Sequence, residues 1–272
     1  MPVSEYDKKL FLAACDKVVN KQSTCNGIGT LKEKTLHAVL KNFYEPDTSC
    51  QEVKIGKFVA DIQHANEVIE IQTRNFNSMR KKLDKFLELY PVTIVYPIVS
   101  TKWLYWIDEK TGEVSAGRKS PKRGSFYDAF YELYKIKTYL ANPGLHICLI
   151  LVDAEEYRIL NGYGKDRKKG ASRYDRIPVA LVDELYIGSK EEYSSLLPES
   201  LPDIFCTKDY AKHAQIKIRY AQLAINIFKY IGIIEQSGKN GRSFLYRRKI
   251  HIKNRNTYYK AKTQNIKGKE MG

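Results

Sequence analysis

The chain has 272 residues, of which 46 are Lys or Arg and 31 are Asp or Glu, so its formal net charge is +15. With 43% hydrophobic and 12% aromatic residues, intrinsic disorder is excluded for most of the length. No apolar run approaches the roughly 20 residues of a membrane span, and the acidic N-terminus lacks the pattern of a signal peptide. We therefore expect a soluble, cytoplasmic protein without a membrane partner, whose positive charge favours a polyanionic partner.

The predicted elements of the N-terminal half follow the order α-β-β-β-α-β after a first helix. Apolar residues at helical spacing predict helices over residues 5–21, 30–44 and 76–90. Short alternating or apolar runs predict strands over residues 51–55, 57–62, 68–73 and 92–99. The last of these strands is almost entirely apolar, which is typical of a strand buried on both faces.

Further strands follow in the middle of the chain. A hairpin over 102–115 and one or two strands over 145–160 are expected to enlarge the same sheet, with an aromatic helix over 126–140 between them. Residues 161–176 are glycine-rich and basic without apolar periodicity. We therefore expect residues 161–176 to be an interdomain loop or an ordered loop that faces nucleic acid, within a basic linker and connecting segment over 161–195.

The C-terminal third predicts a helix, a short turn, a longer helix and a β-hairpin, which is the order of a winged helix-turn-helix. The lysine-rich residues 251–272 have no apolar pattern and are expected to be disordered. The expected organisation is therefore an α/β domain over 1–160 with its core at 30–99, a linker over 161–195, a winged helix over 196–250 and a tail over 251–272.

The sharpest chemical signal is Asp61 on one strand and Glu70-Ile71-Gln72 on the next. Strand pairing would bring the carboxylates of Asp61 and Glu70 together on one face. Two carboxylates, with the Ile71 carbonyl as a further ligand, make a hard oxygen site that suits Mg²⁺ or Mn²⁺. The alternative is that Asp61 pairs with a lysine and that Glu70 and Gln72 lie on the solvated face of a half-exposed strand.

This pattern resembles the PD-(D/E)XK nuclease superfamily over residues 30–99, in the order of elements as well as in the motif. The resemblance implies a restriction endonuclease-like core with catalytic roles for Asp61, Glu70, Gln72 and Glu33, and metal binding by Asp61, Glu70 and Ile71. Gln72 stands where the family most often has lysine, and a neutral amide cannot serve as a base. It can still orient water, with Arg74 or Lys57 supplying the charge, while the capping position of Glu33 explains that residue equally well.

The candidate nucleic-acid contacts are basic or amide side chains in three regions. They are Arg74 after the motif; Arg118, Lys122 and Arg123 in a basic loop; and Lys217, Arg219, Gln222, Asn226, Lys239 and Arg242 in the winged segment. Such groups suit phosphate contacts, and Gln222 and Asn226 could read bases. The alternatives are solvated loops and a winged helix that binds protein.

The five cysteines and five histidines do not suggest a metal site. The cysteines are scattered and none forms a C-x-x-C pair, so we expect reduced thiols rather than a structural zinc site or a disulfide framework. His37 and His64 are interpreted as ordinary surface or loop histidines.

The sequence thus predicts a mixed α/β (α+β) protein with a restriction endonuclease-like core, extra strands and a smaller winged-helix domain. The predicted function is that of a Mg²⁺-dependent DNA endonuclease, restriction-like or acting in defence against mobile elements, with double-stranded DNA as its partner. Two alternatives stay open: a DNA-binding regulator with a catalytically inactive nuclease-like domain, and an RNA-processing factor. A homodimer is also left open.

Overall fold

The computed structural model describes residues 3–24, 35–64, 66–162 and 170–249. Its α-helices are α1 (Glu5–Thr24), α2 (Thr35–Tyr44), α3 (Arg80–Phe86), α4 (Phe130–Leu133), α5 (Thr207–His213) and α6 (Ile218–Ile231). Its strands are β1 (Gln51–Ile55), β2 (Phe58–His64), β3 (Glu67–Ile71), β4 (Val92–Asp108), β5 (Arg118–Lys119), β6 (Leu145–Leu160), β7 (Ala171–Ile187), β8 (Ile204–Cys206), β9 (Ile234–Asn240) and β10 (Ser243–Arg248). None of these described helices has both the length and the apolar character needed to cross a membrane.

A large mixed sheet forms the centre of the molecule, in the order β1-β2-β3-β4-β6-β7, with β5 paired to β4. The strands β1, β2 and β3 are antiparallel neighbours, β4 lies parallel to both β3 and β6, and β7 returns antiparallel to β6. The parallel step from β3 to β4 is made through α3, as a crossover requires. The mixed α/β class and the α-β-β-β-α-β order are confirmed, whereas the finer assignment to a nuclease core stays a prediction.

Apolar clusters cover both faces of this sheet. Ile69 and Val95 belong to the cluster that packs against α1 and α2, whereas Val68 and Ile94 belong to the cluster that packs against α3. Neighbouring residues of one strand alternate between the faces. Burial on both sides therefore explains the nearly continuous apolar sequence of residues 92–99.

Three strands are much longer than the core needs: β4 and β7 have 17 residues each and β6 has 16. Residues Ala171–Ile187, from the segment expected to connect two domains, form β7 and pair with β6 along its length. Its first half contains Arg173, Asp175 and Arg176 among few apolar residues, so the sequence does not show the apolar pattern of a strand there. The division of the chain into domains stays a prediction.

The expected helix over 126–140 is not continuous. The four residues of α4 lie between 3-10 helices at Phe126–Ala129 and Tyr134–Tyr139, and Ile136 has non-helical backbone angles. The buried residues Phe130, Leu133 and Ile136 recur every third residue, which suits the three-residue turn of a 3-10 helix.

The C-terminal residues have the expected helix, turn, helix and hairpin order, and β8, β10 and β9 form a three-stranded sheet beside them. Gly232 ends α6 with a φ of 80°, as a left-handed helix cap requires. The ring of Phe228 packs edge-to-face on Phe130 at 5.5 Å, so α6 shares the apolar cluster below the large sheet. Tyr230, expected to pack inward beside Ile227, is exposed.

Candidate active site

Asp61 and Glu70 meet where β2 and β3 separate. The paired register runs from His64–Glu67 to Ile62–Ile69, and Asp61 and Glu70 are the next facing residues. At this point, side-chain carboxylate oxygens, and not backbone carbonyl oxygens, accept hydrogen bonds from the backbone N–H groups. The N–H of Asp61 donates to Oε1 of Glu70 at 3.1 Å, and the N–H of Ile71 donates to Oδ2 of Asp61 at 2.8 Å. Both carboxylates are therefore fixed by the strands themselves, and Asp61 and Glu70 are neighbours across the two strands. That the two carboxylates lie on one face of the sheet stays a prediction.

Each carboxylate also contacts one helix. Nε2 of His37, from α2, lies 3.2 Å from Oδ2 of Asp61, and Nζ of Lys82, from α3, lies 2.5 Å from Oε2 of Glu70. Because α2 and α3 cover opposite faces of the sheet, the acid pair has an imidazole on one side and an ammonium on the other. The sequence did not identify either partner: His37 was interpreted as an ordinary histidine, and Lys82 was not among the candidate residues.

The two acids have opposite pKa shifts. Burial raises the pKa of Glu70 to about 7, and the Asp61 charge adds to this effect while Lys82 opposes it. Burial also acts to raise the pKa of Asp61, but the hydrogen bond and the charge of His37 outweigh it and hold that pKa below its usual value. A second carboxylate in a buried site thus opposes the ionisation of the first. A bound cation would therefore favour the ionised form of both acids.

The backbone is strained beside this pair. In the register of β1 with β2, Gln51 faces Ile62 and Val53 faces Ala60, which places Glu52 opposite Asp61. Glu52 has a φ of 54°, in the left-handed region that costs a non-glycine residue free energy. Asn75, with a φ of 58°, lies close by in the loop after β3. Strain of this kind concentrates at functional sites.

Gln72 is tied to the loop that follows it. Its Nε2 donates to the backbone oxygens of Arg74 and, at 3.4 Å, of Asn75. The amide therefore has a fixed position, and the positive charge that a lysine would bring at this point is found instead on Lys82. The Ile71 N–H is part of the site, while the role of the Ile71 carbonyl stays a prediction. Glu33 lies outside the described residues.

A second charged cluster lies on the extended parts of β4, β6 and β7. The carboxylate of Glu156 is buried and is contacted by Lys102 at 3.5 Å, Arg158 at 2.6 Å and Arg176 at 2.7 Å. Burial acts to raise the pKa of Glu156, but the three cations, above all Arg176 and Arg158, lower it to about 2. The sequence analysis missed this cluster because its members come from three strands far apart in the chain.

This cation cluster, defined as Lys102, Arg158, Arg173 and Arg176, is linked to the acid pair through the start of α2. The first residue of α2, Thr35, donates a hydrogen bond to Asp175 of β7, and two residues later His37 contacts Asp61. Arg74 connects the regions from the other side. Partial burial, the Arg176 charge and, among smaller contributions, the Arg74 charge lower the pKa of Arg173. The cation cluster is thus connected to the region of the two carboxylates by α2, and Arg74 lies close enough to Arg173 to affect its pKa.

The other predicted nucleic-acid contacts lie at the surface. The exposed ones are Arg74, Arg118, Lys122, Arg123, Lys217, Arg219, Gln222, Asn226, Lys239 and Arg242. Asn226 accepts a hydrogen bond from Nζ of Lys137 at 2.7 Å, so this amide is already engaged with the N-terminal part of the molecule. Lys239 lies over the ring of Phe244 at 4.8 Å, which holds it on the hairpin. Their role in binding nucleic acid stays a prediction.

Comparison with known proteins identifies a family without a known activity. A protein of Treponema pallidum (strain Nichols), described as uncharacterized, is 29% identical over 229 residues, covering 81% of this chain and 87% of that protein. No solved structure matches the chain. The family described as "Domain of unknown function (DUF8091)" matches residues 34–188, which span the structure from α2 to the end of β7 and so include the whole large sheet. Because this match covers more than half of the sequence, the chain belongs to the DUF8091 family.

Proposed function

We propose that this protein is a divalent-metal-dependent nuclease that hydrolyses phosphodiester bonds of DNA. The observation that carries the proposal is the fixed pair of carboxylates of Asp61 and Glu70 at the point where β2 and β3 separate. The α-β-β-β-α-β order around the pair supports a restriction endonuclease-like core of the PD-(D/E)XK type. A restriction-like or defence role follows from that resemblance.

The donor set fits Mg²⁺ or Mn²⁺, because carboxylate and carbonyl oxygens are the ligands these ions prefer. When bound, such an ion supplies an activated water and offsets negative charge on the attacked phosphate. Asp61 and Glu70 would hold the ion, and Lys82 would provide the cation that the family's lysine provides elsewhere. The amide of Gln72, fixed by the loop carbonyls, would orient rather than activate water.

Charge outside the acid pair supports a polyanionic substrate. The cation cluster, together with Arg74 near Arg173, would contact backbone phosphates on one side of the cleaved bond. The C-terminal helix–turn–helix and hairpin, which we assign to the winged-helix class, would dock the duplex through the exposed Arg219, Lys239 and Arg242. Phosphate contacts from both regions make the affinity strongly dependent on salt.

The main alternative is a DNA-binding regulator whose nuclease-like domain is inactive. One observation favours it: Lys82 and His37 already contact the two acids, and Gln72 replaces the lysine of the family motif. In that case the acid pair stabilises the fold, and the cation cluster and the C-terminal hairpin bind DNA without cleaving it.

The decisive experiment incubates the full-length protein with supercoiled plasmid in the presence of Mg²⁺, Mn²⁺ or EDTA. We expect nicking or linearisation with either metal and none with EDTA. Asp61→Asn and Glu70→Gln should each reduce activity by more than roughly 10–100-fold. That range is the usual loss when the replaced residue contacts a metal ligand and not the metal itself. Glu88→Gln is the matched control, because Glu88 is an exposed acid that pairs with Lys85 after α3.

Binding of the same plasmid, measured in parallel, separates the alternatives. Removing a carboxylate also reduces repulsion of phosphate, so both site variants should bind DNA at least as tightly as the parent. DNA binding without any metal-dependent cleavage by the parent protein would support the inactive regulator. Cleavage by Asp61→Asn at the parent rate would assign the activity to another site or to a contaminant.

A further inference from the structure

A second group of potential metal ligands lies outside the candidate active site. Glu45 follows α2, Cys50 ends the 3-10 helix Thr48–Cys50 before β1, and His64 ends β2. Oε2 of Glu45 lies 2.8 Å from Nδ1 of His64, which in turn lies 3.9 Å from Sγ of Cys50. The three ligand atoms all lie within 4.8 Å of one another. Three neighbouring parts of the chain, the residue after α2, the 3-10 helix and the end of β2, thus bring these side chains to one point.

The donor set is that of zinc rather than magnesium. Thiolate, imidazole and carboxylate are the ligands Zn²⁺ takes in proteins, at about 2.0–2.3 Å, so two ligand atoms of one tetrahedral ion lie roughly 3.3–3.6 Å apart. The observed separations of 2.8 and 3.9 Å fall on either side of this range. Side-chain shifts of less than about 1 Å would therefore form the site.

The surroundings hold the ligands in place. Glu45 is buried, its Oε1 accepts the N–H of Asp47 at 3.0 Å, and its backbone oxygen accepts Nε2 of Gln51 at 2.7 Å. Asp47 in turn caps the 3-10 helix that carries Cys50, through the N–H of Ser49 at 2.8 Å. Such outer contacts fix the orientation of metal ligands. The imidazole of His64 is 43% exposed, which leaves an open side for a water as the fourth ligand.

We propose that Glu45, Cys50 and His64 bind a Zn²⁺ ion that joins the end of β2 to the start of β1. The ion acts as a structural brace: it holds β2, the strand that also carries Asp61 three residues earlier, against the end of α2. The sequence analysis expected no zinc site because the spacing of these residues matches none of the usual pairs of closely spaced ligands. The proposal does not depend on the nuclease activity.

Cobalt is the probe for this site, because Zn²⁺ has a filled d shell and gives no visible absorption. We would titrate the metal-free, reduced, full-length protein with Co²⁺ and record its absorption spectrum. We expect a saturable thiolate-to-Co²⁺ charge-transfer band at one equivalent, which Zn²⁺ then abolishes. Cys50→Ser should remove the band and His64→Ala should weaken Co²⁺ binding at least about tenfold. Cys206→Ser, which changes another half-exposed cysteine, should keep both.

The thermal unfolding temperature provides a second measurement that does not use absorption. Zn²⁺ should raise it for the parent and for Asp61→Asn, but not for Cys50→Ser, since a ligand that binds only the folded state stabilises it. A circular dichroism spectrum equal to that of the parent would show that Cys50→Ser folds. A charge-transfer band that persists in Cys50→Ser, or the lack of any saturable band in the parent, would overturn the proposal. If the zinc effect disappears in Asp61→Asn, the ion binds at the acid pair instead.

Discussion

Glu70 and Glu156 are two carboxylates of one sheet that are equally buried, at 3% and 1% exposure, yet they have opposite properties. The pKa of Glu70 is raised to about 7, whereas that of Glu156 is lowered to about 2. Burial acts in the same direction on both, so their neighbours make the difference. Glu70 faces a second carboxylate and one lysine, and Glu156 faces one lysine and two arginines.

The comparison shows how one sheet can present complementary sites. In the acid pair, burial and the charge of Asp61 oppose the ionisation of Glu70, so the pair gains from a bound cation. The cation cluster around Glu156 has more positive charge than one carboxylate neutralises, so it gains from a bound anion. A metal ion and a phosphate are the two components that hydrolysis of a phosphodiester requires in one place.

The largest expected effect is on stability, from Glu156→Gln. The substitution leaves three cations next to one another without their buried carboxylate, and removing one partner of a buried ion pair costs about 3–5 kcal/mol. Denaturant unfolding at pH 7 with EDTA measures it. Glu70→Gln should cost much less, because Glu70 is already partly protonated at that pH. Equal losses for the two variants would show that burial, not charge balance, controls both sites.

The pH dependence of stability should differ in sign between the two residues. The folded-state pKa of Glu156 is depressed, so its stabilisation is present above about pH 4.5 and is lost as the pH falls towards about 2. The folded-state pKa of Glu70 is raised, so its contribution is present below about pH 4.5 and is lost as the pH rises to about 7. Each shift corresponds to about 3 kcal/mol.

The measurement is the difference in unfolding free energy between the parent and each Gln variant, in EDTA, across that pH range. The difference for Glu156→Gln should shrink on acidification, whereas the parent should lose stability relative to Glu70→Gln as the pH rises towards 7. Parallel profiles for the two variants would contradict the assigned charge environments.

Local patterns were sufficient to predict the acid pair. Alternation places Glu70 on a known face of β3, and the short connection from β2 brings Asp61 opposite it, so the sequence predicted both the hairpin and the pairing. The same reasoning predicted the helix between β3 and β4 and the C-terminal helix–turn–helix and hairpin order.

Partners supplied by distant elements could not be predicted in this way. Lys82 lies in a run of basic residues on a helix, and nothing local distinguishes it from its exposed neighbour Lys81. The cation cluster depends on β7, whose first half alternates charges and aromatics rather than apolar residues. The convergence of Glu45, Cys50 and His64 likewise depends on the register of β1 with β2. Register and crossovers between elements are properties of the whole fold, not of a sequence window.

The next largest effect is expected from Lys82→Met, which should separate metal binding at the acid pair from the rate of cleavage. Lys82 contacts Glu70, and within the part of the chain that the structure describes no hydrogen bond joins it to Asp61, so its loss should not weaken metal binding. Cleavage should nevertheless fall by about 10–100-fold, the usual cost of losing an outer partner of a metal site. Single-turnover cleavage and a Mn²⁺ titration measure the two effects. Lys85→Met, on the same helix, is the control, and an equal rate for both variants would exclude a role for Lys82.

The smallest expected effect is on the salt dependence of DNA affinity. It tests how the phosphate contacts are divided between the cation cluster with Arg74 and the C-terminal region. Replacing Arg74 and Arg173 together by Gln removes two positive charges without removing a direct partner of Glu156. Each phosphate contact on B-DNA contributes about 0.9 to the slope of log affinity against log salt, so the double variant should lower the slope by about 1.8. Between 50 and 200 mM salt this amounts to roughly a tenfold smaller loss of affinity.

The matched comparison replaces Arg219, Lys239 and Arg242 of the C-terminal region by Ala, which should lower the slope by about 2.7 if all three contact phosphates. Lys8→Gln, which changes a charge already paired with Glu5 on α1, should leave the slope unchanged. If the double variant lowers the slope and also slows cleavage, whereas the triple variant lowers the slope alone, the C-terminal region docks the duplex and the cation cluster places it at the acid pair. An unchanged slope in the double variant would instead mean that the positive charge of Arg74 and Arg173 stabilises the sheet and does not contact DNA.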